Sequence, residues 1–540
     1  MSEFKSLDSE NININTDNES PISSIENYDS SSLIRIACIQ IHTDTDASLQ
    51  IPKDVLYNQE YHFGILDIET ANTPCIREPQ IIIFSIDISA SMSDLCKDNR
   101  TQMQHAIHTA KNVITAISKI EDANVSIIVY AFDDYVEKII NLTKITSDNV
   151  SNLHTMLENC KPRGSTNIEK ALQNAVNVIS SLKTTEPLSH ISHIFLTDGQ
   201  ATVGEYNSEV LYRYVDSSIR NIFIGYGVNH SYTLLNLLAS HKNGSYVFVD
   251  DIENTGIVFG DIVYGILYKS IVDIRFEAEN CELYNFVKDT WDTQLELPYL
   301  LSESKKTYHV RTKTPAIMNV KIYGKNALFD ASPETKDVFE DVGGVMPDLQ
   351  DSLTNLDKYM FRQRTLELIF KSKEIRTKTS FVGEIKKELI LFLKIMQEYM
   401  NQHDLKTDTF YQTLCDDIKI TSKTIDAGGN TFDMYSTARQ HSQGRQGSYN
   451  VSLPPNQNQP GRNFNTGGVV RRQNCNVSTY YDNEMDEQET YKDDCEPDDC
   501  DYDLDQENQT QTYETITPTP VNRTYTSERQ RTLMSDISQS

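Results

Sequence analysis

The sequence predicts an α/β protein. A doubly wound α/β domain is inserted in, or followed by, a small β-sandwich, with a helical region and a disordered tail after it. Three observations carry this reading. The run Ile81-Ile-Ile-Phe-Ser-Ile86 is almost wholly apolar, the character of a strand buried on both faces in a parallel sheet. Strand-like and helix-like periods then alternate through about residue 252, the pattern of layered α/β folds. Half-buried strand patterns stand on both sides of that stretch.

Taken in order, residues 1–30 are rich in Ser, Asn, Asp and Glu and bury too little apolar surface to fold alone. Residues 34–42 and 61–69 read as strands, bounded by turn-forming residues; residues 31–79 are assigned to the sandwich. The α/β domain is expected over 80–252. Its first helix places Met103, Ala106, Ile107, Ala110, Val113, Ile114 and Ile117 at helical spacing. Strands follow at 124–132 and 136–140. A second helix buries Ile168, Ala171, Leu172, Ala175, Val176, Ile179 and Leu182. The strand at 193–197, a helix near 209–215, a strand at 221–225, a helix near 234–238 and a strand at 246–250 complete the domain.

Phe259, Ile262, Val263 and Ile266 have helical spacing and are read as leading out of it. Alternating apolar residues at Val272, Ile274, Phe276 and Ala278, and around 308–311 and 318–322, return to strands with one buried face. The sandwich therefore takes 253–345 as well. Residues 346–422 change to a helical period. Val382, Ile385, Leu389, Phe392, Met396 and Tyr399 are spaced three-four-three-four-three. This pattern is too short for the three to four heptads of a coiled coil. A helical hairpin packed on the body is the plain reading, and a homodimer through the 382–399 helix is the second. Residues 423–540 are read as a disordered, acidic tail, because Gln, Asn, Gly, Ser and Pro dominate up to Gly468. Asp482 to Glu507 then form an acidic block with Lys492 as its one base.

The formal net charge is −29, which disfavours nucleic acid and anionic membrane surfaces as partners. No apolar run approaches the roughly 20 residues of a membrane span, and the first residues lack a signal-peptide pattern. Nine scattered cysteines read as reduced thiols, hence an intracellular, cytoplasmic expectation.

The candidate chemistry lies at the ends of strands. Asp87, Ser89 and Ser91 follow the first apolar run at alternate positions. Lys161-Pro-Arg-Gly-Ser-Thr166 is a turn-rich loop that delivers Thr166 in front of a helix. His193-Ile-Phe-Leu-Thr-Asp198-Gly199 is a second apolar strand ending in a carboxylate. Open α/β sheets bind ligands at the carboxyl ends of their strands. Thr166 with Glu169 also fits a helix capping box, and Asp-Gly also fits a turn. The order Asp-x-Ser-x-Ser, Gly-x-Thr and strand-Thr-Asp-Gly nevertheless resembles the von Willebrand factor A (VWA) domain, over about a third of the chain. The portion is also similar to plant proteins that pair a RING finger with such a domain. Here the RING ligands are missing, since Cys475, Cys495 and Cys500 lie without histidines.

The resemblance implies that Asp87, Ser89, Ser91, Thr166 and Asp198 form a metal-ion-dependent adhesion site. Oxygen donors without His or Cys suit Mg²⁺ or Mn²⁺. It further implies a non-enzymatic binding module, completed by a Glu or Asp carboxylate of a protein partner. Two alternatives are an adaptor in a ubiquitin-type pathway and a metal-dependent hydrolase. Against the latter, Ser89 stands where a phosphatase Asp-x-Asp needs its second carboxylate. There is also no Gly-x-Ser-x-Gly elbow and no phosphate-binding glycine loop. His190 and His193 are read as a surface pair. The alternating aspartates Asp499 to Asp505 fail as a calcium loop, because Leu504 and Thr510 occupy the positions that need Gly and Glu.

Overall fold

The computed structural model describes residues 34–41, 61–76, 78–96, 99–249, 255–313, 319–327, 337–341, 356–375, 381–425, 429–446 and 525–538. Two antiparallel strands, β1 (Ile34–Ile41) and β2 (His62–Thr70), come first. The α/β domain follows with β3 (Gln80–Asp87), α1 (Gln102–Ser118), β4 (Val125–Phe132), β5 (Val136–Lys144), α2 (Val150–Leu157), α3 (Ile168–Thr185), β6 (His190–Thr197), α4 (Ser208–Tyr212), β7 (Arg220–Tyr226), α5 (Tyr232–Leu238), β8 (Gly244–Val249) and α6 (Thr255–Leu267). Seven strands come next: β9 (Lys269–Glu279), β10 (Glu282–Asn285), β11 (Thr290–Asp292), β12 (Gln294–Leu301), β13 (Lys305–Thr312), β14 (Asn319–Asn326) and β15 (Asp337–Asp341). The helices α7 (Asp357–Ile375), α8 (Val382–Gln402), α9 (Thr409–Thr424), α10 (Gly429–Arg445) and α11 (Glu528–Ser538) finish the chain. All of these elements belong to one compact unit.

The central sheet has the order β5-β4-β3-β6-β7-β8. Its strands are parallel except β5, which runs antiparallel to β4. All eight residues of β3 are buried, as an apolar run in the middle of a two-sided sheet requires. Ile82 and Ile83 are fully enclosed, and each such side chain stabilises by roughly 1.5–3 kcal/mol relative to exposure. Chain order reverses direction across the sheet between β3 and β6. That reversal opens a crevice at their carboxyl ends, and the candidate residues lie there.

One face of the sheet packs on α1, α2, α6 and α11 around Phe84, Val113, Ile114, Phe259 and Val263. The helix 255–267 is thus part of the α/β core. It does not lead out of the domain, because nearly all of its side chains are buried. The opposite face packs on α3, α4 and α5, joined by Ile420, Met434 and Tyr435 from the helical region. The rings of Phe248 and Tyr435 meet edge to face at 5.2 Å.

The flanking strands form two antiparallel sheets, β1-β2-β13-β10-β11 and β12-β9-β14-β15. β2 lies before the α/β domain and β13 after it, yet they pair over eight residues, from His62↔Thr312 to Glu69↔Lys305. Leu66, Ile68, Ile274, Phe276, Leu283, Val310 and Ile322 from both sheets share one core. On the outer side of β2, Phe63 and Ile65 join the helical region. Alternation along one strand therefore serves two cores.

The helical region corrects one expectation. Ile385, Leu389, Phe392, Met396 and Tyr399 are buried within the chain. The Phe361 ring meets those of Phe392 and Tyr399 at tilted angles, as Tyr399 meets Tyr411. The face read as a dimer seam is filled by α7 and α9, so no homodimer is needed to cover it.

A second correction concerns the tail. Helices α10 and α11 fall within the stretch expected to be disordered. α11 buries Leu533, Met534 and Ile537 and lies across α6. A Cβ added at Gly260 would sit 2.7 Å from Met534 Cα, so the close approach of the two helices requires glycine there. Asn112 Nδ2 donates to Ile537 O at 2.8 Å, and Arg529 Nη1 donates to Thr73 O at 2.8 Å. The expected disorder of 1–30 and of the acidic block 482–507 falls outside the described residues.

Candidate metal centre

Asp87 ends β3, where the strand gives way to a short 3-10 turn at Ala90–Ser93. Its carboxylate is fully buried and held at both oxygens. Oδ1 accepts from the Ser89 backbone N–H at 2.8 Å, and Oδ2 accepts from Thr197 Oγ1 at 2.5 Å. Thr197 is the last residue of β6, so this bond ties the two strands on either side of the crevice. The Ser89 and Ser91 hydroxyls lie 3.0 Å apart, and Ser91 Oγ donates to Asp198 Oδ1 at 2.8 Å.

Thr166 arrives from the 161–166 loop. Backbone bonds fix that loop to the first one: Arg163 N–H to Ile88 O at 2.7 Å and Ala90 N–H to Gly164 O at 3.2 Å. Thr166 itself is pinned by Thr202, whose Oγ1 accepts its N–H at 2.8 Å and whose N–H donates to its carbonyl at 2.9 Å. A Cβ added at Gly199 would meet Thr166 Oγ1 at 3.4 Å and Ser91 Oγ at 3.6 Å. Gly199 thus marks where the two hydroxyls converge. All five residues identified from the sequence, Asp87, Ser89, Ser91, Thr166 and Asp198, meet in this crevice.

The helix-cap alternative for Thr166 is not realised. The N-cap of α3 is Asn167, whose side chain accepts from Lys170 N–H, and Glu169 Oε2 accepts from Glu205 N–H at 3.0 Å. The Thr166 hydroxyl is left facing the crevice. Of the two histidines read as a surface pair, His193 departs from expectation. His193 is buried in the sheet with Nε2 2.9 Å from Ser85 Oγ, and burial pushes its pKa down to about 4. It is a neutral core residue, because a strand flanked by parallel neighbours exposes neither face.

Thr197, Thr202, Asp133 and Arg163 support the site; the sequence motifs contain Thr197 and Arg163 without giving them a role, and Thr202 and Asp133 lie outside those motifs. Asp133 Oδ2 accepts from Arg163 Nε at 2.7 Å, which clamps the Thr166 loop to the end of β4. A carboxylate at a strand end was the available signal for Asp133. Thr202 carries no motif at all.

Electrostatics show what the crevice lacks. Burial pushes the Asp87 carboxyl up to about 6 despite the Thr197 and Ser89 bonds. Burial, then the nearby Asp87, pushes Asp198 up to about 7. Among the described residues no Lys, Arg or His forms an ion pair with either. Two desolvated carboxylates sharing one site favour protons or a cation. With three hydroxyls beside them, the donor set is all hard oxygen, and it fits a hard divalent ion.

Residues 82–261 match the family described as von Willebrand factor type A domain. This part of the chain is a VWA domain. A curated relative, human inter-alpha-trypsin inhibitor heavy chain H4, is 22% identical over 254 residues, which are 46% of this chain and 26% of that protein. The chain thus spans about a quarter of that relative's length. A solved von Willebrand factor type A structure from Catenulispora acidiphila aligns with TM-score 0.46 and 13% identity, covering 72% of this chain and 91% of the other. Proximal thread matrix protein 1 from the mussel byssus, described with a zinc-occupied MIDAS motif, aligns at TM-score 0.29 and 19% identity, covering 36% of this chain and 47% of the other. VWA domains generally mediate metal-dependent protein–protein interactions, and among the described residues no helix is long and apolar enough to cross a membrane.

Proposed function

We propose that the chain is a metal-dependent protein-binding module, and that Asp87, Ser89, Ser91, Thr166 and Asp198 would hold Mg²⁺ or Mn²⁺. Three of these donors are neutral hydroxyls, so the ion's charge is only partly quenched. Such an ion supplies an electrophilic position for an outside carboxylate, and the fitting partner is a protein that presents Glu or Asp.

The observation that carries this reading is the apolar rim around the crevice. Ten large apolar side chains stand exposed among the described residues, and five of them lie on loops at this end of the domain. Leu95 is 70% exposed just beyond the Ser91 turn, and Tyr135 is 70% exposed beside the Asp133–Arg163 clamp. Tyr206 is 61% exposed, and its hydroxyl donates to Thr202 O at 2.7 Å. Val203 and Val228 complete the set. Single exposed apolar residues are ordinary, but their grouping around a polar centre marks a contact surface. Aromatic anchors around a desolvated polar pair are what protein interfaces use.

The same reading makes the protein a binder and not an enzyme, located inside the cell. The second part draws on Cys160, Cys281 and Cys415, which form no disulfide among the described residues.

The test has two stages. The full chain is titrated with Mg²⁺, Mn²⁺ and Zn²⁺ by calorimetry, beside an Asp87→Ala/Asp198→Ala variant. Partner capture is then compared in Mg²⁺ and in EDTA, with immobilised wild-type and Ser89→Ala chains. Complexes should form in Mg²⁺, dissociate in EDTA and weaken with Ser89→Ala. Identical captured partners under all conditions would show that the crevice is not the binding site. A phosphate- or ester-hydrolysing rate that vanishes in the Asp198 variant would overturn the non-enzymatic reading.

A further inference from the structure

At the other end of the VWA sheet lies a cavity of about 1390 Å³. Its walls come from the amino ends of β6 and β7, the turn before β8, the β9–β12 sheet edge and the end of α10. Eight Lys and Arg side chains line it, against four Asp and Glu. This is a reversal of sign in a chain of formal charge −29.

Four of the cations, Arg220, Lys306, Lys373 and Arg445, form no ion pair with a carboxylate among the described residues. Arg220 Nη2 donates to the Tyr299 hydroxyl at 2.9 Å, and the guanidinium lies 5.0 Å from the centre of that ring. Its other terminal nitrogen, Nη1, is buried without a partner. Lys306 Nζ is held by two carbonyls, Arg445 O at 3.0 Å and Gln446 O at 2.5 Å. Lys373 Nζ donates to Thr437 Oγ1 at 2.9 Å and Gln440 Oε1 at 3.0 Å. The neighbouring acid, Asp261, accepts from Gln530 Nε2 at 2.5 Å.

The cations also feel one another. Burial, then Arg445 and Lys373, hold His441 well below its usual range. Arg445, reached by solvent from the cavity, is itself drawn down by the surrounding protein and by Arg220, against Tyr299 and Asp261. Burial pulls Lys306 down to about 8. Asp261 acts on Lys306 and Arg445 but forms no ion pair with either among the described residues, so this half-enclosed group with unused donors keeps an excess of positive charge.

We propose that this cavity binds a multiply phosphorylated small molecule. Guanidinium groups take phosphate oxygens in a fork, and lysines meet them as point charges. Several separated cations need several phosphates, and the volume exceeds what one phosphate fills. The site lies at the opposite end of the sheet from the metal centre, so it stands or falls independently of the function proposed above.

The test uses the full chain in EDTA, at an ionic strength of about 0.15 M, where exposed charges are screened beyond roughly 8 Å. Three probes separate the sources of phosphate: inorganic tripolyphosphate, inositol hexakisphosphate and a nucleoside triphosphate. At least one should bind with one-to-one stoichiometry by calorimetry and raise the melting temperature. Arg445→Gln and Arg220→Gln should each weaken it roughly tenfold or more. Arg445 is open to the cavity, so its variant should keep the fold even if the Arg220 variant does not. Lys119→Gln, which removes an exposed charge at the end of α1, should leave affinity within about twofold. No binding of any probe would overturn the proposal. So would equal losses in the Arg445 and Lys119 variants, which would mean general charge attraction.

Discussion

The two ends of the VWA sheet differ in what they leave unsatisfied. At the carboxyl ends of β3 and β6, two buried carboxylates stand beside three hydroxyls, and among the described residues no cation pairs with them. At the amino ends of β6 and β7, guanidinium and ammonium groups outnumber the carboxylates, and four of them form no ion pair among the described residues. Each end has a charge imbalance that an unfolded chain in water would not pay for, and each imbalance specifies the sign of its ligand. The contrast teaches that net charge describes long-range approach, while short-range recognition follows the local set of donors and acceptors.

The largest expected effect breaks the comparison at one end. The Asp87→Ala/Asp198→Ala variant should lose Mn²⁺ binding entirely, read by paramagnetic resonance, while tripolyphosphate binding at the cavity stays within about twofold, as independent sites should. Joint loss of both would show that the two ends are coupled or that the fold has failed. Circular dichroism separates those cases.

The next effect concerns pH. Without metal, the Asp87 and Asp198 pKa values of about 6 and about 7 lie above the ordinary 3.8. Their contribution as neutral acids is therefore fully present below about pH 4 and is lost as pH rises through 6 to 7. Asp198→Asn should stabilise the metal-free chain at about pH 8 by on the order of 2–4 kcal/mol, at 1.4 kcal/mol per pKa unit. The gain should vanish near pH 4. For the same reason Mg²⁺ should raise the wild-type melting temperature more at pH 8 than at pH 5. Urea unfolding at the two pH values checks the first statement, and a thermal scan with and without Mg²⁺ checks the second. A pH-independent Mg²⁺ effect would remove the buried carboxylates from the site.

A third effect sharpens the interface. Tyr206→Ala should weaken partner capture by about 1–2 kcal/mol, as loss of an aromatic anchor does, with Mn²⁺ affinity unchanged. An equal fall in Mn²⁺ affinity would make Tyr206 a support of the metal centre and not a contact.

The smallest effect is at the cavity. Tyr299→Phe removes the oxygen that accepts from Arg220 Nη2, a net loss of about 0.5–1.5 kcal/mol by urea unfolding. A neutral result would mean that cavity water replaces the hydroxyl.

The sequence by itself determined the α/β alternation, the buried β3 run and the five crevice residues, Asp87, Ser89, Ser91, Thr166 and Asp198. Each is local information: a period of two or 3.6, or a donor placed where a strand ends. Asn167 as the α3 cap shows the limit, since Thr166 with Glu169 offered an equally good box. Only the tertiary structure decided which partner filled each apolar face. The 382–399 stripe is the same sequence whether it meets another chain or α7 and α9, and long-range packing chose the latter. His193 could be placed in the interior only once β3 and β7 were known to flank its strand. The helix at 528–538 is short and polar overall, and its Leu533, Met534 and Ile537 gain their meaning from the glycines of α6 opposite them. The cavity is the extreme case. Arg220, Lys306, Lys373 and Arg445 are scattered over more than 200 residues, and no spacing rule connects charges that come together only when separate elements pack.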